Sequence, residues 1–219
     1  PRQIRAFNVQ QRADLSPQST VRGKWECSSP ETTEHFSAVA TFFGNRLQDE
    51  LQIPIGIIHS SWGGSIIETW ISRAALVRNP RKKEWVEDYE SYAFKRDFWQ
   101  LLADNSLSPP PNNNQRGHGY HNSPYMLFEN MLRPLLPVAI AGVIWYQGES
   151  NAARAEEYKR LMTDLIEEWR YLFEAGNFPF IQVQLANFKT ESDYQSDSNW
   201  ARLREAQLQA LRVHNTGMA

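Results

Sequence analysis

The sequence is most informative first in what it lacks. A single cysteine, Cys27, stands among 219 residues, so no internal disulfide and no cysteine-rich zinc site can form. No run approaches the roughly 20 apolar residues that span a bilayer, so no membrane insertion is expected. No charge of one sign dominates: 23 Lys and Arg against 25 Asp and Glu leave a formal charge of −2, which gives polyanions no field to follow. Nucleic acid is therefore not an expected partner. Residues 1–11 lack the basic end, apolar centre and small-residue cleavage site of a signal peptide, and there is no initiator Met. No Walker lysine, no three-glycine dinucleotide fingerprint and no Gly-x-Ser-x-Gly elbow occurs. What is present is enough apolar surface for a core, with 41 % hydrophobic residues, 12 % aromatics and eight tryptophans.

The apolar pattern alternates between two periods. Ile4 to Val9 reads as a half-buried strand. Phe36, Val39, Ala40, Phe43, Leu47 and Leu51 recur at helical steps, with Thr33 as the expected N-cap. Ile53 to Ile58 is a β-branched run, expected to be covered on both faces. Ala139 to Trp145 reads as a further strand. Tyr158, Leu161, Met162, Leu165, Ile166, Trp169, Leu172 and Phe173 hold helical phase over several turns. Phe178 to Leu185 follows as a strand and Trp200 to Val213 as a closing helix. Around residues 79–122, ending in a Pro/Asn-rich tract, an insertion or long loop is expected. Alternating strands and helices imply an α/β fold with a mainly parallel sheet, whose ligands sit at the carboxyl ends of strands.

Two polar segments follow directly on predicted strands and so share one rim. In Trp62-Gly63-Gly64 the paired glycines permit positive φ and let backbone N–H groups face a ligand, which suits an oxyanion or phosphate; a plain tight turn has the same pattern. Gln147-Gly148-Glu149-Ser150-Asn151 gathers two amides, a carboxylate and a hydroxyl around one glycine. Ser150 or Asn151 would serve equally as a cap for a helix starting near Ala152. Gln147 is no preferred cap, and its amide offers a neutral donor where negative charge develops. Nothing in the spacing sets any of the five histidines beside Ser60 or Ser61 as a nucleophile–base pair. His118 and His121 share no evident helix face, so no metal site is expected. Glu68 with Glu149 is the pair a glycosidase would need.

Several ordered blocks together carry a resemblance. Phe36-Ser-Ala-Val-Ala-Thr-Phe-Phe-Gly44, Pro54-Ile-Gly-Ile-Ile-His-Ser-Ser-Trp-Gly-Gly-Ser65 with Glu68-Thr-Trp70, and Val143-Ile-Trp-Tyr-Gln-Gly-Glu-Ser-Asn151 resemble the sialate O-acetylesterase family of SGNH (GDSL-like) hydrolases. Phe178-Pro-Phe180, Gln184-Leu-Ala-Asn-Phe188 and Trp200 to Gln207 extend the match over most of the chain. The resemblance implies a three-layer α/β/α sandwich, a single domain over residues 1–219 incomplete at both ends, and a serine esterase acting without cofactor or metal on acetylated sugars or glycans. It further implies that Gly64 and Gln147 form the oxyanion hole, with Trp62, Gly63, Glu149 and Asn151 shaping the substrate pocket. The family's nucleophile lies in a Gly-Gln-Ser-Asn type segment and its Asp and His in an Asp-x-x-His type segment. Neither occurs here, so residues 1–219 alone are expected to be inert. An extracytoplasmic location is expected by the same resemblance. The alternatives are a non-catalytic carbohydrate-binding module and a glycoside hydrolase using Glu149.

Overall fold

The computed structural model of the chain describes residues 3–93, 120–188 and 198–219. His118 and the Pro/Asn tract lie outside the described residues. The architecture is α/β, with two small sheets and helices packed on them.

In the first sheet, β1 (Ile4–Asn8) pairs antiparallel with β2 (Trp25–Cys27) and parallel with β3 (Ile55–His59), giving the order β2-β1-β3. Between them, Ser29 caps a short helix, α1 (Pro30–Thr33), and Ser37 rather than Thr33 caps α2 (Ala38–Leu51). Thr33 instead closes α1, because Pro30 opens a separate helical turn upstream of the expected start. Helix α2 lies on β3 at Gly44, where an added Cβ would stand 2.9 Å from Ile57 Cδ1. Strand β3 is only half-buried, contrary to the expected cover on both faces. One side of it meets α2, while Gly56 on the strand lies near the ring of the exposed Trp25.

The second sheet is all parallel, in the order β4 (Val143–Trp145), β5 (Phe180–Gln182) and β6 (Thr216–Met218). Each strand is only three residues long, and β4 and β5 are shorter than their apolar runs, although ladder hydrogen bonds continue beyond β5 from Val183 N to the Trp145 carbonyl and from Gln184 N to the Ala219 carbonyl. Strand β6 has no counterpart in the sequence pattern: Thr-Gly-Met carries too little β-branched character to announce it.

The core sits against this sheet. Helix α5 (Ala155–Phe173) buries Tyr158, Leu161, Met162, Leu165, Ile166 and Trp169, the stripe its periodicity predicts. Each such side chain contributes about 1.5–3 kcal/mol on burial, so this helix anchors the domain. Trp145 meets Trp70 edge-on at 6.4 Å and Trp169 at 5.6 Å. Their polar edges are satisfied: Trp145 Nε1 donates to Tyr158 Oη and Trp169 Nε1 to the Trp70 carbonyl. At the far end of α5, buried Arg170 donates to the carbonyls of Phe178, His214 and Asn215, tying the helix to the starts of β5 and β6. Helix α6 (Asn199–Gln209), capped by Ser198, packs on α5 and buries Leu203, Ala206 and Gln207.

Within the expected insertion at 79–122, Asn79 leads into α4 (Pro80–Ala93). Its Lys82, Trp85, Val86 and Tyr89 are all buried and fall at i, i+3, i+4 and i+7. A lysine thus occupies the apolar stripe of a helix. The short α3 (Arg73–Leu76), capped by Ser72, precedes it.

Candidate active site

The loops after β3 and β4 meet on one rim, as their positions after strands required. The chain leaves β3 at His59 and turns at Trp62-Gly63-Gly64, with Gly64 at φ +75°. An added Cβ at either glycine meets nothing within 4 Å, and both residues are exposed, so the turn presents bare backbone to its surroundings. Among the described residues, none accepts a hydrogen bond from the Gly64 N–H.

Behind this open face, side chains from two other segments hold the backbone. The Gly64 carbonyl accepts from Asn122 Nδ2 at 3.0 Å and Ser150 Oγ at 2.9 Å. Asn122 Oδ1 accepts from Ile66 N at 2.8 Å. The Ser65 carbonyl accepts from Gln147 Nε2 at 2.8 Å, and Asn151 Oδ1 accepts from Ile67 N at 2.9 Å. Four consecutive residues are therefore fixed by amides and a hydroxyl. That is the preorganisation an anion cradle needs, since donors already aimed cost no reorientation when charge develops.

Gln147 is buried and commits its amide internally: the same Nε2 that holds Ser65 also donates to Asn151 Oδ1 at 2.9 Å. Its backbone carbonyl accepts from Tyr158 Oη and Gln207 Nε2, linking the site to the tryptophan core and to α6. Asn151 is 1 % exposed and lies beneath the turn, so it braces the rim instead of lining its open side. It caps no helix either: residues 149–154 form a 3₁₀ turn and α5 begins at Ala155 without a side-chain cap. Glu149 is exposed on the rim. Trp62 is half-buried, packs on the core and stacks on His121 with ring centroids 4.8 Å apart and 7° between planes. Burial holds the His121 ring below its ordinary pKa.

Under the rim lies a charge cluster that motif reading missed. Glu68, wholly buried in the 3₁₀ turn Ile67–Trp70, accepts from Lys82 Nζ at 2.8 Å, from Asn151 Nδ2 at 2.9 Å and from Arg154. Lys82 and Arg154 also reach Glu157, at 2.7 and 3.0 Å. Burial alone would push the Glu68 pKa up, but the Arg154 and Lys82 charges outweigh it and hold the carboxyl well below the usual range. The lysine in the apolar stripe of α4 was the available signal. Asn122 gave none, being one more polar residue in a polar stretch.

A second arrangement corrects an expectation. Nothing in the spacing set a histidine beside a serine, yet His59 Nε2 lies 2.8 Å from Ser61 Oγ. Asn8 Nδ2 points to the His35 carbonyl, so Asn8 Oδ1 faces His59 Nδ1 at 3.3 Å. That polarity puts the ring proton on Nδ1 and makes Nε2 the acceptor of the Ser61 hydroxyl. Burial lowers the His59 pKa, which favours this neutral form. The parallel pairing of β1 with β3 brings Asn8 opposite His59 in register.

Elsewhere, a cleft of about 690 Å³ lined by Lys159, Glu167, Arg170, Tyr171, Asn177 and His214 includes none of the predicted site residues. Among the described residues, no group of three or more His, Cys, Asp or Glu is placed to hold a metal, and no helix is long and apolar enough to cross a membrane.

Comparison with known proteins gives the rim a context. The family model described as "Carbohydrate esterase, sialic acid-specific acetylesterase" matches residues 116–219. Sialate O-acetylesterase from Mus musculus is 34 % identical over 213 residues, 87 % of this chain and 39 % of its own length. The chain is similar to this family of carbohydrate esterases. The Homo sapiens sialate O-acetylesterase is 31 % identical over 90 % of the chain and 35 % of its own length. The crystal structure of a carbohydrate acetylesterase from Xanthomonas citri superposes with a TM-score of 0.76 at 32 % identity, covering the whole chain and 42 % of that structure. A protein from Arabidopsis thaliana at 17 % identity shares the fold, with a TM-score of 0.51 over 98 % of the chain and 67 % of that structure. The chain thus spans about two fifths of the mouse relative and of the Xanthomonas esterase.

Proposed function

We propose that the chain supplies the central part of a carbohydrate O-acetylesterase that removes acetyl groups from sugars such as sialic acid through an acyl-serine intermediate. The observation that carries this reading is the open Gly63-Gly64 turn, whose neighbouring carbonyls and amides are held from behind by Asn122, Ser150, Gln147 and Asn151. The Gly64 N–H stabilises the oxyanion as the ester carbonyl becomes tetrahedral. Gln147 belongs to the same hole, fixing the Ser65 carbonyl and so the orientation of the adjoining peptides. Trp62, Gly63 and the exposed Glu149 border the open side, where the sugar ring lies, and Asn151 supports them from below. The nucleophile and its base come from segments outside residues 1–219, in a single three-layer α/β/α domain that the two small sheets help to build, acting outside the cytoplasm. No cofactor is needed for this chemistry.

The test is acetate release from O-acetylated sialic acid and acetylated xylan by the full-length polypeptide. Release supports the esterase reading. Saturable sugar binding without release points to a binding module instead, and glycosidic cleavage lost in Glu149→Gln points to a glycosidase.

A second reading rests on the Asn8–His59–Ser61 arrangement, which has the order of orienting group, base and nucleophile within the chain itself. It separates cleanly from the first. Residues 1–219 alone should be inert toward p-nitrophenyl acetate if the nucleophile lies elsewhere, and should turn it over in a Ser61-dependent manner if this pair acts.

A further inference from the structure

We propose that Glu68 is a positioning residue for the acetyl-ester site, acting through a directional hydrogen-bond relay from its carboxylate through Asn151 and Gln147 to the Ser65 carbonyl beside the Gly64 turn. The inference rests on the esterase reading for its catalytic consequence, though not for the relay itself.

The relay has two ends that cannot reverse. At one, the Ile67 backbone can only donate, and its N–H points to Asn151 Oδ1 at 2.9 Å. At the other, the Ser65 carbonyl can only accept, and Gln147 Nε2 meets it at 2.8 Å. Between them stand two side-chain amides, each of which could be turned over without changing its shape. The Glu68 carboxylate, an acceptor on both oxygens, holds the same sense from its side. It takes Asn151 Nδ2 at 2.9 Å, with Asn151 Oδ1 toward Ile67 and Gln147. Gln147 must then present Nε2, which is the atom that also reaches Ser65.

Lys82 and Arg154 face the same carboxylate and keep it an acceptor. Glu157, on the other side of both cations, balances their charge. All three relay members are buried, so a donor or acceptor left unmet there is not readily compensated by water.

This arrangement makes an isosteric change informative. In Glu68→Gln the amide oxygen must face Lys82 and Arg154, which leaves its NH₂ pointing at the NH₂ of Asn151. If Asn151 turns to accept, its own NH₂ meets the Ile67 N–H. If Gln147 then turns to follow, its oxygen meets the Ser65 carbonyl. Every arrangement opposes like groups at one end. Moving the carboxylate one step along repairs the conflict. In Glu68→Gln with Asn151→Asp, the introduced carboxylate accepts from the introduced amide, from the Ile67 N–H and from Gln147, and the net charge is unchanged.

The experiment uses the full-length polypeptide with an acetylated sugar as substrate and backbone amide exchange as a second readout. Glu68→Gln should lower kcat by about 10²-fold, the scale of a displacement of about 1 Å in a positioned group, with KM within about threefold. The double variant should recover kcat to within about tenfold of wild type. Ile67 amide protection should fall in the single variant and return in the double. A single variant that keeps kcat within threefold overturns the inference, as does a double variant that recovers neither kcat nor, should the single fail to fold, a cooperative melt. A wild type that releases no acetate fails the esterase reading instead, and Ile67 protection across the variants then decides the relay.

Discussion

Replacing Lys82 by Met tests the buried charge cluster in isolation. The methionine keeps the aliphatic stem in the α4 stripe and removes only the ammonium, which lies 2.8 Å from Glu68 and 2.7 Å from Glu157 and is 2 % exposed. Removing one partner of a buried pair costs about 3–5 kcal/mol. Here Arg154 stays on Glu68 and Glu157 is a third exposed, so the lower end applies, about 3 kcal/mol at pH 7. The pH dependence follows from the direction of the Glu68 shift. In the wild type its folded pKa is depressed, so its stabilisation is complete above the unfolded value of 4.5 and is lost as pH falls through the folded value. Without Lys82 the folded pKa rises toward the unfolded one, and the variant loses less on acidification. The gap between the two proteins should therefore narrow as pH falls from 7 to 3. Urea unfolding followed by the fluorescence of the eight tryptophans measures it directly. A gap below about 1 kcal/mol at pH 7, or one that is flat with pH, would refute the reasoning.

Three further outcomes concern the backbone and its supports, and a fourth concerns a titration. Gly64→Ala should cost only the positive φ, about 1–2 kcal/mol, because its Cβ meets open space. Gly148→Ala should cost more, about 2–4 kcal/mol in the same urea assay, since strain at φ +156° adds to contacts of 3.1–3.2 Å with Gln207, Leu203 and Leu185. Arg170→Ala should lower the melting temperature by several degrees, about 2–3 kcal/mol, because it leaves the carbonyls of Phe178, His214 and Asn215 without their buried donor; an unchanged melt would show those carbonyls are served otherwise. The His59 ring, followed by NMR titration, should protonate below pH 6.5, the direction burial gives it, and stability should fall as pH drops from 6.5 toward that lower value.

How much of this was legible beforehand depends on which interactions wrote themselves into spacing. Helix α5 was, because one helix burying one stripe leaves a 3.6-residue signature from Tyr158 to Trp169. The meeting of Gly64 with Gln147 was legible in outline, because two glycine-bearing polar segments each followed an apolar run. Their hydrogen bonds were not. Gln147 suggested a free donor, whereas both its N–H directions are taken by Ser65 and Asn151. Asn151 suggested a cap or a substrate contact and is a buried brace, because the helix start it precedes is delayed to Ala155 by a 3₁₀ turn. Glu68 and Arg154 are 86 residues apart and Asn8 and His59 51 apart, and such pairings depend on how the chain's strands and loops come together. Lys82 alone among these carried a local signal, a charge at an apolar position.

The most direct test of the central claim compares acetate release from O-acetylated sialic acid by the full-length polypeptide and by its Gln147→Ala variant. The account predicts release by the wild type and a fall in kcat of about 10²- to 10³-fold in the variant, as when an oxyanion hole loses its support. Equal release by both proteins, or no release by the wild type, would contradict it.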